Sequence, residues 1–167
     1  MDEKGMTLVE VVVVIVIVGL LMGPLLSLFS QGYRLSAQAT GQSQIQNEAN
    51  RVLAEICEGN APAGRPGLLQ AEAVAVSPVG LALRSGGQVV TYYLASGSIY
   101  RKVAAVTGPL RVDPSGGEAI LSGVKSFTVG PGGLLYSLRL EMEHPNPDGT
   151  VNRFTLQTAV RPRNLHP

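Results

Sequence analysis

MDEKGMTLVEVVVVIVIVGLLMGPLLSLF, residues 1–29, opens the chain with a short charged tag that runs directly into an apolar wall. From Val11 to Leu26 no side chain is polar, and extending the run to Met6 and Phe29 adds only Thr7, Glu10 and Ser27. About 24 residues at ~1.5 Å each make a helix of roughly 36 Å, enough to cross a hydrocarbon core of ~30 Å. A secretory signal has a shorter apolar core followed by a small-x-small cleavage site. Here the run is longer, and SQGYRLSAQATGQ beyond Phe29 supplies no such site, so the segment is expected to remain in the mature protein. Lys4 before the run predicts a cytoplasmic N-terminus and a body outside the cytoplasm, with Arg34 on the far side reducing the asymmetry.

Glu10 stands inside this run, where a plain anchor has no use for a carboxylate. A charge deep in a bilayer costs at least ~2.5–3.5 kcal/mol on insertion scales, and somewhat less near an interface. The helix macrodipole returns only ~0.3–1 kcal/mol to a carboxylate in the first turns. The nearest written cation, Lys4, lies outside the run. A cut between Gly5 and Met6 would place a new α-amino cation four residues before Glu10. It would pair with its own Glu10 or, in an assembly, with a neighbour's, which makes the carboxylate a register device for packing helices. Gly19, Gly23 and Pro24 also lie in the span. Pro24 lacks an N–H and its ring presses on the carbonyl of Leu20, so the helix is expected to kink or loosen there.

MDEKG followed by MTLVE and an apolar stretch resembles the type IV pilin-like prepilins, a family that includes the pseudopilins of type II secretion and of DNA-uptake machines. The shared pattern is a charged leader ending in glycine, a hydrophobic first residue, often a threonine, and a glutamate fifth after the cut. The resemblance implies that a membrane-embedded prepilin peptidase cleaves after Gly5 and methylates Met6. It further implies that Glu10 pairs with a neighbouring subunit's N-terminus, and that Gly19, Gly23 and Pro24 mark where the helix loses regularity in a filament. Its implied partners are other pilin or pseudopilin subunits through the N-terminal helix, an inner-membrane assembly platform, and lipid before assembly.

After Phe29 the helical period persists but becomes one-sided. Leu35, Ala39, Ile45, Ala49, Val52, Leu53 and Ile56 recur at spacings of three and four, between Gln, Asn, Glu and Arg. The helix is expected to end near Gly59, in EGNAPAGRPG. Beyond Pro66 the period changes to two. AEAVAVSPVGLALRSGGQVVTYYLASGSIYRKV reads as short strands, with hairpin turns at residues 86–87 and 96–97. Val89, Thr91 and Tyr93 alternate with Val90, Tyr92 and Leu94, and the bulk on both faces suggests a central strand. The segments Leu134–Glu143 and Thr150–Arg161 read as a long antiparallel hairpin across NPDG. Leu138, Leu140 and Met142 are its buried face, and Phe154, Leu156, Thr158 and Val160 are expected to face in.

The expected architecture is α+β and pilin-like, a long helix packed on an antiparallel sheet. Its divisions are a leader at 1–5, a membrane and assembly half-helix at 6–29, an amphipathic half-helix at 30–58 and a β-rich body at 59–167. The body also resembles the J-type minor pseudopilins and tip-type minor pilins, through VVTYYLASGSIYRKV, ILSGVKSFTV and RFTLQTAVRPRN in that order. That resemblance implies a minor subunit, at the tip or in initiation, of a pilus, secretion or DNA-uptake filament. The alternatives are a major pilin or a monomeric membrane-anchored binding domain outside the cytoplasm.

Composition excludes much chemistry. Among 167 residues there is one cysteine, Cys57, so no internal disulfide and no cysteine-based zinc site can form. The histidines are His144, in a strand-to-turn segment, and His166, next to the end. No catalytic constellation, metal site or cofactor motif is found. SGG at 85–87 and GPGG at 130–133 lack a following P-loop helix and read as turns. Glu141 and Glu143 read as a solvated face, and Cys57 as a small buried hydrophobe. A formal net charge of +1 gives no argument for nucleic acid. Arg153, Arg161 and Arg163, without interleaved aromatics, do not indicate DNA, and nothing indicates a secreted substrate.

Overall fold

The computed structural model describes residues 7–132, 135–145 and 149–164. One α-helix, α1, runs from Leu8 to Glu58 without interruption. By contact the chain divides into two compact units, Met1–Ser43 and Gln44–Pro167. The first consists, where described, of the N-terminal part of α1. Every residue from Leu8 to Ser36 is exposed within the chain. A helix apolar on all sides has no polar face to turn to water, so it needs an apolar surround. Leu35 and Ala39, expected on a buried stripe, are exposed, and the buried stripe begins only at Ile45. Leu35 and Ala39 belong to the first unit, which where described is helix alone.

The second unit holds the last turns of α1 and all the strands. The chain leaves α1 through a two-residue ribbon, β1 (Gly59–Asn60) with β2 (Arg65–Pro66), and a 3-10 turn at Leu68–Gln70. Then come β3 (Ala73–Ser77), β4 (Gly80–Ser85), β5 (Gln88–Ala95), β6 (Ser98–Ala105), β7 (Glu118–Ser122), β8 (Val124–Gly132), β9 (Leu135–Pro145) and β10 (Val151–Val160). They form an antiparallel five-stranded sheet in the order β3-β4-β5-β6-β7 and an antiparallel three-stranded sheet in the order β10-β9-β8. The expected single sheet is thus two. One residue, Gly123 at φ 73°, separates β7 from β8, and across it the chain leaves the first sheet to lie against β3, β4, β5 and β6.

The hairpin turns form as the sequence requires. Ser85 pairs with Gln88 across Gly86 and Gly87, both at positive φ, and Ala95 pairs with Ser98 across Ser96 and Gly97, also both positive. Two-residue turns of this hand match the twist of the strands they join.

β5 is the central strand of its sheet, and both of its faces are covered. Val90 and Tyr92 join a core with Leu81, Leu83 and Ile99 of the same sheet, Phe127, Leu138, Leu140 and Met142 of the other, and Ala49, Val52, Leu53 and Ile56 of α1. Burying each such large apolar side chain contributes about 1.5–3 kcal/mol. The opposite face of β5 carries Thr91 and Tyr93, both buried. Residues 106–117 fold over it. The Tyr93 hydroxyl donates to the Gly116 carbonyl, Lys102 pairs with Asp113, and the Tyr93 and Tyr100 rings stack with centroids 5.4 Å apart.

Candidate functional site

Thr7 and Glu10 define the start of α1. The Thr7 carbonyl accepts from the Glu10 and Val11 amides at 3.0 and 3.2 Å, and Thr7 Oγ1 accepts a long hydrogen bond from the Glu10 amide at 3.4 Å. Thr7 is therefore the N-cap and Glu10 sits at the third helical position, where a carboxylate faces the positive end of the macrodipole. The spacing Thr-x-x-Glu is that of a capping box, a helix-start signal that the reading of Glu10 as a register residue passed over. Glu10 is exposed within the chain. Gly5 and Met6 lie outside the described residues.

Gly19, Gly23 and Pro24 lie within the unbroken α1. A Cβ added at either glycine would meet nothing within 4 Å. These positions thus leave shallow notches on an exposed apolar helix. α1 is long and apolar enough to cross a membrane, and none of its most apolar window is buried. Residues 1–26 match the prokaryotic N-terminal methylation motif. The chain therefore carries a type IV prepilin-like N-terminus. No curated protein matches the chain significantly, and no solved structure does.

The motif accounts for the N-terminal segment and leaves the body to be read from its own geometry. There the sequence reading missed a partly buried polar cluster. Glu55, in the last turns of α1, accepts from Arg101 of β6 at 2.5 Å and from Arg65 of β2 at 3.1 Å. Arg101 also reaches Glu118 of β7 at 2.6 Å. The side chains of Glu55 and Arg101 are only 11% and 10% exposed, against 72% for Glu118. Burial pulls the Arg101 guanidinium down, but its bonds to Glu55 and Glu118 outweigh that and hold it above its ordinary value. One carboxylate thus ties the end of the helix to a strand and to the β1–β2 ribbon. The signal was present in the phase of β6, where Ile99 and Arg101 alternate with Tyr100 and share the core-facing side. Beside this cluster the Tyr92 hydroxyl is buried and, among the described residues, has no hydrogen-bond partner. Burial first, and then the charge of Glu55, push its ionisation upward.

The remaining singled-out residues have plain structural settings. Cys57 is 8% exposed in the core, and burial, with the nearby charge of Glu58, pushes its thiol up to about 11. A thiol held protonated is a poor nucleophile. Glu143 accepts from Lys125 and from Arg153, each at 2.7 Å, which holds its carboxyl below the usual range. Glu141 pairs with Arg139 at 2.7 Å. These pairs decorate the wet side of the three-stranded sheet. His144 is half-buried on β9, and His166 lies outside the described residues. Residues 85–87 form a β-hairpin turn, and residues 130–132 belong to β8. Arg161 is exposed, and the Arg163 amide donates to the Leu69 carbonyl. Among the described residues no group of three metal-ligating side chains is found.

Proposed function

We infer that this protein is a minor pilin or pseudopilin, a structural subunit without enzymatic activity that is built into a type IV pilus, type II secretion or DNA-uptake filament. Prepilin peptidase removes residues 1–5 after Gly5 and methylates the new N-terminal Met6. The subunit waits in the cytoplasmic membrane with its N-terminus inside and its body outside. It then enters the filament, at the cell surface or in the periplasm, from an inner-membrane assembly platform. The Met6 amine and Glu10 of adjacent subunits set the register, and Gly19, Gly23 and Pro24 let the helix adapt. The order of motifs in the body supports a place at the tip or in initiation.

One observation carries the reading: a methylation motif leads into a helix whose apolar residues from Leu8 to Leu35 are all exposed within the chain. Such a surface fits two successive surrounds, lipid first and neighbouring helices after extraction. Expression of the full chain with a prepilin peptidase tests it. Mass spectrometry should show loss of residues 1–5 and gain of one methyl group on Met6, and Gly5→Leu should abolish both. An unaltered N-terminus in the presence of active peptidase overturns the reading.

A further inference from the structure

The three-stranded sheet stops at β10. Among the described residues no strand lies beyond it, and its register with β9 is unbroken from Val151 to Val160. Antiparallel strands direct alternate main-chain groups to each side, so half of the N–H and C=O groups of β10 face away from β9. Native edges of this length are usually blunted by lysine, proline, a bulge or an inward charge. β10 carries one charged side chain, Arg153, near its start, and Pro162 follows its end, but Phe154–Val160 between them has no charge, proline or bulge.

Beneath the same edge the core is incompletely closed. Leu138, Leu140 and Met142 of β9 are fully buried, whereas their partners Thr158, Leu156 and Phe154 on β10 are half-buried. A cleft of about 370 Å³ opens there between β10 and the last turns of α1, where Leu53, Ala54, Cys57 and Leu156 share the lining with Asn50, Glu58, Gln157 and Thr158. Its lining is half apolar and half polar, and one end carries the exposed carboxylate of Glu58. Glu58 sits at the C-terminal end of α1, where the helix carbonyls add partial negative charge. No basic residue lies in that last turn, and Arg65 and Arg101 are both engaged by Glu55.

We propose that β10 is a docking edge for an extended segment of a partner subunit, which adds as a fourth strand and closes the cleft. The segment alternates small or β-branched apolar side chains that enter the cleft above Leu53, Ala54 and Cys57, and it brings a lysine or arginine to Glu58. A docked helix or a small molecule would fill the space yet leave the outward main-chain groups of Phe154–Val160 without strand partners. An added strand satisfies both needs at once.

The proposal rests on the filament-subunit reading. Hydrogen exchange of the full processed chain, in its native assembly and in detergent, tests both and separates them. Amides in Phe154–Val160 should exchange at least tenfold more slowly in the assembly. Thr158→Lys and Glu58→Lys should each lower incorporation at least fivefold, with removal of residues 1–5 and protection of β9 unchanged, while Thr158→Val incorporates normally. Slow exchange of β9 in the lysine variants shows that they fold. If the chain assembles and Phe154–Val160 exchanges as fast as in detergent, the docking edge is wrong and the filament reading stands. If the processed chain never enters an assembly, the filament reading fails and the docking edge falls with it.

Discussion

Replacing Glu55 by alanine removes one carboxylate from three elements at once. The side chain it deletes is 11% exposed and holds the guanidinium groups of Arg101 and Arg65. Arg101, itself 10% exposed, would keep only the solvent-exposed Glu118. Removing one partner of a buried ion pair costs ~3–5 kcal/mol, because the other charge stays buried. The lower end applies here, about 3 kcal/mol, since Glu118 still engages Arg101 and Arg65 is wet enough to be hydrated. Glu118→Ala breaks an exposed contact of the same arginine and should cost less than ~1 kcal/mol. In thermal unfolding of the full chain in mild detergent, followed by circular dichroism, Glu55→Ala should lower Tm by roughly 10 °C. Glu118→Ala should lower it by a few degrees at most. The double replacement Glu55→Leu with Arg101→Met should recover most of the loss, as apolar substitutes of buried ion pairs do. Equal, small effects of Glu55→Ala and Glu118→Ala would refute the view that the Glu55 pair is buried and holds the helix end in register.

Other outcomes follow from the same structure. Tyr92→Phe removes a buried hydroxyl that has no partner among the described residues, so it should leave the body as stable or stabilise it by about 1 kcal/mol; a clear loss of Tm would show that the hydroxyl is bonded. Cys57 should react with iodoacetamide at pH 8 far more slowly than free cysteine, and at the free rate once the body is unfolded in urea. Its thiol is raised from 9.0 to about 11 in the fold, so the folded state binds the extra proton. The associated stability is full below pH 9 and is lost as pH rises through about 11, which a Cys57→Ala control without that loss would confirm. Glu10→Val should leave membrane insertion intact or improved, yet reduce filament incorporation roughly tenfold to a hundredfold, the equivalent of one charge-assisted hydrogen bond of ~1.5–3 kcal/mol; normal incorporation in an exchange assay against wild type would remove the register role.

The parts legible in the sequence are those encoded by local order. Thr7, Glu10 and the apolar run that follows stand at fixed spacings at the start of one helix, so a linear pattern contains their geometry. The end of α1 is local too, because Gly59 is held at φ 84° and follows the last helical residue directly. Alternation placed Leu138, Leu140 and Met142 inside, and bulk on both faces of β5 marked it as central. On β10 the predicted inward residues are oriented correctly, yet Phe154, Leu156 and Thr158 are only half-covered. Period two gives a side chain's direction and says nothing about whether another strand lies beyond.

Only the tertiary structure divided the strands into two sheets, since the decision rests on a single residue, Gly123, and on which surface the next strand finds. It alone brought Glu55 to Arg101 and Arg65 across 46 and 10 positions of sequence, laid residues 106–117 over Thr91 and Tyr93, and opened the cleft beside β10. A helical period could not distinguish Leu35 and Ala39 from Ala49 and Ile56, because periodicity shows which side of a helix is apolar. What covers that side depends on where the rest of the chain folds, and here the body's cover begins at Ile45.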